Sequence, residues 1–218
     1  MRACIILNGE IKSKDFLQDT ISSNGYEYII CADGGAKYLY ELDIIPHYIL
    51  GDLDSLEEHI IEFYKRKKVE FKKFPSRKNE TDTQLCVHLA DELGVEELHL
   101  LGALGGRVDH TLANINLMYY IKELGIKPII KSENEDIYII ENENITICGQ
   151  KGNTVSIIPL KGDLKGITLK NLEYPLNDAN IKFGDPIGLS NVMTEDSFNV
   201  NLDKGSILII LNKKERKG

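Results

Sequence analysis

Asp52 and Asp54 stand two residues apart in Gly51-Asp52-Leu53-Asp54-Ser55, directly after the apolar run His47 to Leu50. In an extended chain that spacing turns both side chains to the same side, where two carboxylates can grip one cation. A hard divalent ion such as Mg²⁺ takes a few carboxylates, keeps several waters and completes its shell with substrate phosphates. By themselves these residues fit a turn followed by a helix cap equally well. Asp33, in Ala32-Asp33-Gly34-Gly35, and Asp109, in Gly105-Gly106-Arg107-Val108-Asp109-His110, each follow another apolar run, Tyr28 to Cys31 and Leu98 to Leu104, and Asp82 opens a helical stretch. Like charges gathered at one rim raise one another's pKa unless a cation neutralises them, so the grouping points to a metal. Asp82 alone fits an ordinary N-cap.

The same clusters carry groups suited to anions. Gly34-Gly35 and Gly105-Gly106 permit close backbone approach and precede helical stretches, whose N-termini favour phosphate. Neither the Gly-x-x-x-x-Gly-Lys-[Ser/Thr] loop nor a complete Gly-x-Gly-x-x-Gly is present. Arg107 offers a forked guanidinium and Lys78 a point charge in the polar stretch before Thr81-Asp82; either also fits a solvated surface. His110, beside Asp109, suits a cap or a ligand contact better than catalysis. No Ser/His/Asp order and no thiolate in a glycine-flanked turn supports covalent catalysis. Carboxylates, glycines, Arg and Lys together suit phosphoryl chemistry, which is mainly positioning and charge stabilisation.

The elements that must position these groups follow from periodicity. From Met1 to about Lys131, strand-like runs alternate with helical stretches at Lys14 to Ser23, Gly35 to Leu42, Glu57 to Lys67, Thr81 to Leu93 and Thr111 to Leu124. That alternation predicts an α/β domain with a parallel sheet, whose ligands bind beyond the carboxyl ends of the strands. Thr81 to Leu93 has a cap at each end, Thr81-Asp82-Thr83 and Gly94. After Pro128 the texture becomes β-branched runs divided by Gly, Asn and Asp, which suits short antiparallel strands of a sandwich or barrel. They are placed at Asp136 to Ile140, Ile145 to Cys148, Thr154 to Leu160, Ile167 to Leu172, Ser197 to Leu202 and Ser206 to Leu211, with a hairpin turn at Glu141-Asn142-Glu143-Asn144. The boundary falls in Lys131 to Glu135, dividing the chain into residues 1–131 and 132–218.

A net charge of -8 disfavours nonspecific binding to nucleic acid or anionic membranes. No apolar stretch approaches the roughly 20 residues of a membrane helix, and Met1 to Leu7 reads as a first strand rather than a signal. Cys4, Cys31, Cys86 and Cys148 show neither metal-ligand nor redox spacing and read as buried reduced thiols, which favours the cytoplasm. The basic run Lys65-Arg66-Lys67-Lys68 reads as a solvated helix end.

Ala32-Asp33-Gly34-Gly35-Ala36, Gly51-Asp52-Leu53-Asp54-Ser55, Lys78-Asn79-Glu80-Thr81-Asp82 and Gly105-Gly106-Arg107-Val108-Asp109-His110 resemble, in order, the signature blocks of the thiamine pyrophosphokinase family. Gly188-Leu189-Ser190-Asn191 in the all-β half extends the resemblance over nearly the whole chain. The resemblance implies a mainly parallel, Rossmann-like α/β domain binding ATP and Mg²⁺, then an all-β sandwich domain for thiamine binding and dimerisation. It implies transfer of the terminal diphosphate of ATP to the hydroxyethyl oxygen of thiamine, giving thiamine diphosphate and AMP. Asp52, Asp54 and Asp82 would hold Mg²⁺ and, with Arg107, carry catalysis. Asp33, Gly34, Gly35, Lys78, Gly105, Gly106, Arg107, Asp109 and His110 would line the nucleotide and diphosphate cleft, and Ser190 and Asn191 would contact thiamine. A homodimer is implied as well. The chain lacks the Trp that some members place against thiamine, so another side chain must serve there. A diphosphokinase for another heterocycle, such as a pterin, and a nucleotide-binding module without turnover are the alternatives.

Overall fold

The computed structural model describes residues 1–73 and 80–213. The chain divides into two compact units, Met1–Glu133 and Asn134–Gly218. No helix among the described residues is long and apolar enough to cross a membrane.

The first unit is built on strands β1 (Arg2–Ile6), β2 (Tyr28–Ala32), β3 (Tyr48–Gly51), β4 (Glu70–Lys73), β5 (Glu97–Leu101) and β6 (Lys127–Lys131). They pair in parallel in the order β6-β5-β1-β2-β3-β4. From β1 the chain steps outward through β2, β3 and β4, then returns to β5 on the other side. The order thus reverses beside β1, and a crevice opens beyond the carboxyl ends of strands at such a reversal. In β1, β2 and β5 every residue after the first is buried, because helices cover both faces of a parallel sheet.

The helices are α1 (Lys14–Ser23), α2 (Ala36–Tyr40), α3 (Glu58–Arg66), α4 (Asp82–Glu92) and α5 (Val108–Glu123). Thr81 caps α4 by accepting from the Gln84 N–H at 3.2 Å, and Gly94 follows its end with φ +74°, as the cap residues predict. Leu17, Leu39, Ile60 and Tyr64 pack with Cys4, Ile6, Cys31 and Ile49 of the sheet. The fully buried Tyr64 donates its hydroxyl toward the carbonyls of Ala36 and Ile44, both at 3.2 Å, which ties α3 to the segment that follows β2.

Two boundaries that bear on the cleft differ from the periodicity. The apolar run to Leu104 stops being a strand at Leu101, because Gly102 adopts φ +69° and turns the chain. Helix α5 begins at Val108 rather than Thr111, so Asp109 and His110 occupy its first turn, where an acidic side chain complements the helix dipole.

The second unit holds β7 (Glu135–Glu141), β8 (Asn144–Cys148), β9 (Thr154–Pro159), β10 (Leu164–Lys170), β11 (Leu176–Ile181), β12 (Asn191–Val192), β13 (Ser197–Lys204) and β14 (Ser206–Asn212). They form two antiparallel sets, β12-β9-β14-β7 and β11-β10-β13-β8. Phe198, Val200 and Ile167 of one set and Ile157, Ile207 and Ile209 of the other share a single apolar core.

Asn142-Glu143 is not a hairpin turn. Strand β7 pairs with β14 and β8 with β13, so the chain crosses there from one set to the other. The crossing is braced against the parallel passage at Gly205: the Asn142 N–H donates to the Gly205 carbonyl at 3.2 Å, and the Gly205 N–H donates to Asn142 Oδ1 at 2.8 Å. Cys148 departs from the expectation of four buried thiols. Cys4, Cys31 and Cys86 are buried, but Cys148 is exposed, because alternation along β8 sends Ile147 into the core and its neighbour outward.

Candidate active site

Beyond the carboxyl ends of the first unit's strands lies a cleft of about 920 Å³. Each strand end contributes what its sequence allows. After β1 come Asn8 and Gly9; a Cβ on Gly9 would stand 2.2 Å from the Gly102 carbonyl oxygen, so only glycine lets the β1 and β5 ends close together. After β2, Asp33 takes a left-handed φ of +42°. After β3, Gly51 at φ +143° and Leu53 at φ +69° fold the acidic loop back on itself, with the buried Leu53 anchoring it in the core. Left-handed non-glycine residues cost energy and persist where the surroundings hold them.

These loops bring together Asp33, Asp52 and Asp54, with one oxygen of each within 4.8 Å of the others. Asp82 lies alongside: a Cβ on Gly51 would fall 2.9 Å from Asp33 Cβ and 3.4 Å from Asp82 Cγ, so Gly51 makes room for both acids. The Asp54 N–H donates to Asp52 Oδ1 at 3.2 Å, and the Ser55 hydroxyl donates to Asp54 Oδ1 at 3.2 Å. A side-chain hydrogen bond with Asp52, and then the Asp52 charge, raise the Asp54 carboxyl above its ordinary range. Asp33 is only 8 % exposed, and its Oδ1 is buried without a hydrogen-bond partner. An orphaned buried carboxylate oxygen among like charges is the donor chemistry a hard cation satisfies.

The remaining expected residues divide. Gly105 and Gly106, at φ +81° and +68°, line the cleft with Arg107, Asp109 and His110. Asp109 does not join the acidic cluster. It takes the Arg107 guanidinium through Nε to Oδ1 at 3.1 Å and Nη2 to Oδ2 at 2.6 Å, and accepts the His110 N–H at 3.0 Å. Their mutual hydrogen bond lowers the Asp109 carboxyl and raises Arg107. Gly34 and Gly35 are buried and serve packing: a Cβ on Gly35 would meet the Ile6 carbonyl oxygen at 2.2 Å, and one on Gly34 the Asn8 amide at 2.6 Å. Lys78 lies outside the described residues. Ser190 and Asn191 belong to the second unit. Ser190 is exposed at φ +58°, its N–H donating to Ser156 Oγ at 3.2 Å. The Asn191 amide is engaged by backbone, accepting from the Tyr174 N–H at 3.0 Å and donating to the Tyr174 carbonyl at 2.7 Å.

The periodicity did not single out Asn8, Gly9, Gln84 or Asn114, all of which line the cleft. The signal for Asn8-Gly9 was their position after a central strand. Asn114 is placed by the bond it donates to the Ala103 carbonyl at 2.9 Å, which ties α5 to the loop after β5.

Carboxylates and a guanidinium on glycine-rich loops, at the carboxyl ends of a parallel sheet, define an α/β enzyme of the phosphotransferase kind. Residues 22–130 match the family model "Thiamin pyrophosphokinase, catalytic domain" and residues 137–207 match "Thiamin pyrophosphokinase, vitamin B1 binding domain". The chain belongs to the thiamin pyrophosphokinase family. It is 28 % identical over 182 residues to a thiamine pyrophosphokinase of Bacillus subtilis, spanning 83 % of this chain and 85 % of the relative. Thiamine pyrophosphokinase 1 of Oryza sativa is 27 % identical over 206 residues, 83 % of this chain and 77 % of the relative. The crystal structure of the Bacillus subtilis thiamine pyrophosphokinase superposes with a TM-score of 0.88 at 24 % identity, covering 98 % of this chain and all of that one. The yeast thiamin pyrophosphokinase structure gives 0.78 at 20 % identity, covering 97 % and 86 %. These structures share the fold, and the second-unit match favours thiamine over a pterin.

Proposed function

We propose that this chain is a thiamine diphosphokinase whose reaction is carried out in the first-unit cleft, where Asp33, Asp52 and Asp54, with Asp82 beside them, would hold a cation. The observation that carries this reading is the buried, unpartnered Oδ1 of Asp33, a residue whose carboxyl group lies within reach of Asp52 and Asp54. We read the first unit as Rossmann-like and the second as a sandwich. A homodimer and a cytoplasmic setting are further parts of the reading.

The hydroxyethyl oxygen of thiamine attacks the β-phosphorus of ATP and loses its proton to solvent, the bond from that phosphorus to the AMP oxygen breaks, and AMP leaves with the electron pair of that bond. A bound Mg²⁺ ion would supply charge neutralisation on the phosphate oxygens. The acids after β2 and β3, Asp33, Asp52 and Asp54, would hold that ion, and Asp82, at the start of α4, completes the acidic wall. Arg107 meets the charge that grows on the leaving oxygen as the bond breaks, with Asp109 fixing its plane. Gly105 and Gly106 let backbone approach the phosphates without side-chain interference, and His110 adds a contact at the first turn of α5. Lys78 is assigned to the same phosphates from its place before Thr81-Asp82.

In the second unit Ser190 offers its hydroxyl to thiamine, and Asn191 acts by holding the Tyr174 backbone. Tyr174 is 66 % exposed beside that segment. It offers an aromatic face to a cationic thiazolium in a chain without Trp. The test of the cation assignment is a Mg²⁺ titration of metal-free protein. Wild type needs Mg²⁺ to form thiamine diphosphate, and folded Asp52→Asn fails to do so at any Mg²⁺ concentration; near-normal turnover by that variant refutes the assignment.

A further inference from the structure

Asn8 stands at the C-terminal end of the central strand, before the segment that matches the catalytic family model. The Lys37 ammonium donates to Asn8 Oδ1 at 2.8 Å, and the next residue, Tyr38, donates its hydroxyl to the Gly9 carbonyl at 2.6 Å. Two successive side chains of α2 thus clamp two successive residues of the strand end. A lysine carries donors only, so the amide oxygen must face it and the amide NH₂ must face away. Among the described residues that NH₂ donates to no protein group. Asn8 is exposed and lines the cleft, and its Nδ2 lies 2.6 Å from where a Cβ on Gly34 would stand, so the amide rests on the glycine next to Asp33.

We propose that Asn8 donates a hydrogen bond to a phosphate oxygen of the nucleotide, and that Lys37 is a positioning residue that fixes the amide for this contact. The inference rests on the diphosphokinase reading above. A neutral donor suits the place: an acceptor-only phosphate oxygen entering beside Asp33, Asp52 and Asp54 is repelled by them, and an oriented NH₂ offsets that without competing for their cation. Lys37, bonded to the amide oxygen, polarises the NH₂ toward a stronger donor.

The experiment compares wild type with Asn8→Ala, Lys37→Met, Lys37→Arg and the Asn8→Ala/Lys37→Met pair, at saturating thiamine. Asn8→Ala raises the KM for ATP about tenfold, the order expected for a lost hydrogen bond to a charged group, and leaves the thiamine KM within about twofold. Lys37→Met raises the ATP KM by about three- to fivefold and Lys37→Arg restores most of it. In the pair the lysine change adds nothing, because it acts only through Asn8. Binding of inorganic tripolyphosphate with Mg²⁺, measured by calorimetry, weakens by a factor like that for ATP, while adenosine binding is unchanged. An ATP KM within about twofold of wild type for Asn8→Ala, an additive pair, or a loss confined to adenosine overturns the proposal. Because tripolyphosphate binding needs no turnover, failure of the contact and failure of the diphosphokinase reading are read separately: the latter appears as wild type that forms no thiamine diphosphate.

Discussion

Asp109 holds both edges of the Arg107 guanidinium, Nε at 3.1 Å and Nη2 at 2.6 Å, so the arginine at the cleft is oriented by its own helix before any ligand arrives. The pair is exposed, and exposed pairs add little to stability. Its value is therefore geometric. Asp109→Asn is expected to lower kcat/KM for ATP by about tenfold with little change in melting temperature, since a misdirected guanidinium loses bidentate recognition. Unchanged ATP kinetics would show that Arg107 needs no such guide.

On the proposed reading, variants of Ser190 and Tyr174 separate thiamine recognition from the chemistry. With ATP saturating, Ser190→Ala should raise the thiamine KM, and Tyr174→Ala should raise it by about tenfold while Tyr174→Phe keeps it near wild type. Asn191→Ala is expected to differ in kind. Its side chain, nearly buried, holds the Tyr174 backbone at both polar groups, so its loss costs about 1–3 kcal/mol of stability in urea unfolding. Equal stability with only a kinetic defect would contradict that role.

Gly34 and Gly35 give a paired test of the strand ends. Gly35→Ala drives a Cβ into the Ile6 backbone oxygen and is expected to destabilise the protein by about 1–3 kcal/mol or more. For Gly34→Ala the nearest atoms belong to the Asn8 side chain, which can move, so it should unfold near wild type in urea while weakening ATP binding. The reverse ranking of stabilities would contradict the packing described for this turn.

His99, buried in β5, sets a pH dependence away from the cleft. Burial, reinforced by the Lys131 charge, lowers its pKa from 6.5 to about 4, against the opposing influence of Glu97, and its ring nitrogens meet the Tyr26 hydroxyl at 2.6 Å and Glu97 Oε1 at 3.0 Å. Between those two pH values the unfolded chain takes a proton there and the folded chain does not. The contribution is full above pH 6.5 and is lost as pH falls toward 4, amounting to about 3 kcal/mol. Urea unfolding of His99→Gln should therefore show a shallower acid slope than wild type over this range; parallel slopes would contradict it.

What was legible in the chain follows physical lines. Buried parallel strands such as Tyr28–Ala32 read clearly because both faces are apolar, and α4 read clearly because Thr81 and Gly94 mark its ends. The edge strands Glu70–Lys73 and Leu176–Ile181 escaped, because an edge that faces solvent carries charged and polar residues that periodicity assigns to loops. The Asn142 crossing looked like a hairpin because local turn chemistry is the same whether the next strand pairs with the last or joins another sheet. In the cleft, the acidic motif was legible from spacing. The partners of its members were not: Asp109 with Arg107, and Asp33 with Asp52 and Asp54, are long-range or side-chain matters that only the folded chain decides. Asn8 was invisible for the same reason, since its meaning depends on Lys37 and Gly34.

The most direct measurement is product analysis of purified protein with ATP, Mg²⁺ and thiamine, separating AMP from ADP with and without thiamine. The account predicts thiamine-dependent AMP in equal amount to thiamine diphosphate. ADP with thiamine monophosphate would place the attack at the γ-phosphorus and contradict it.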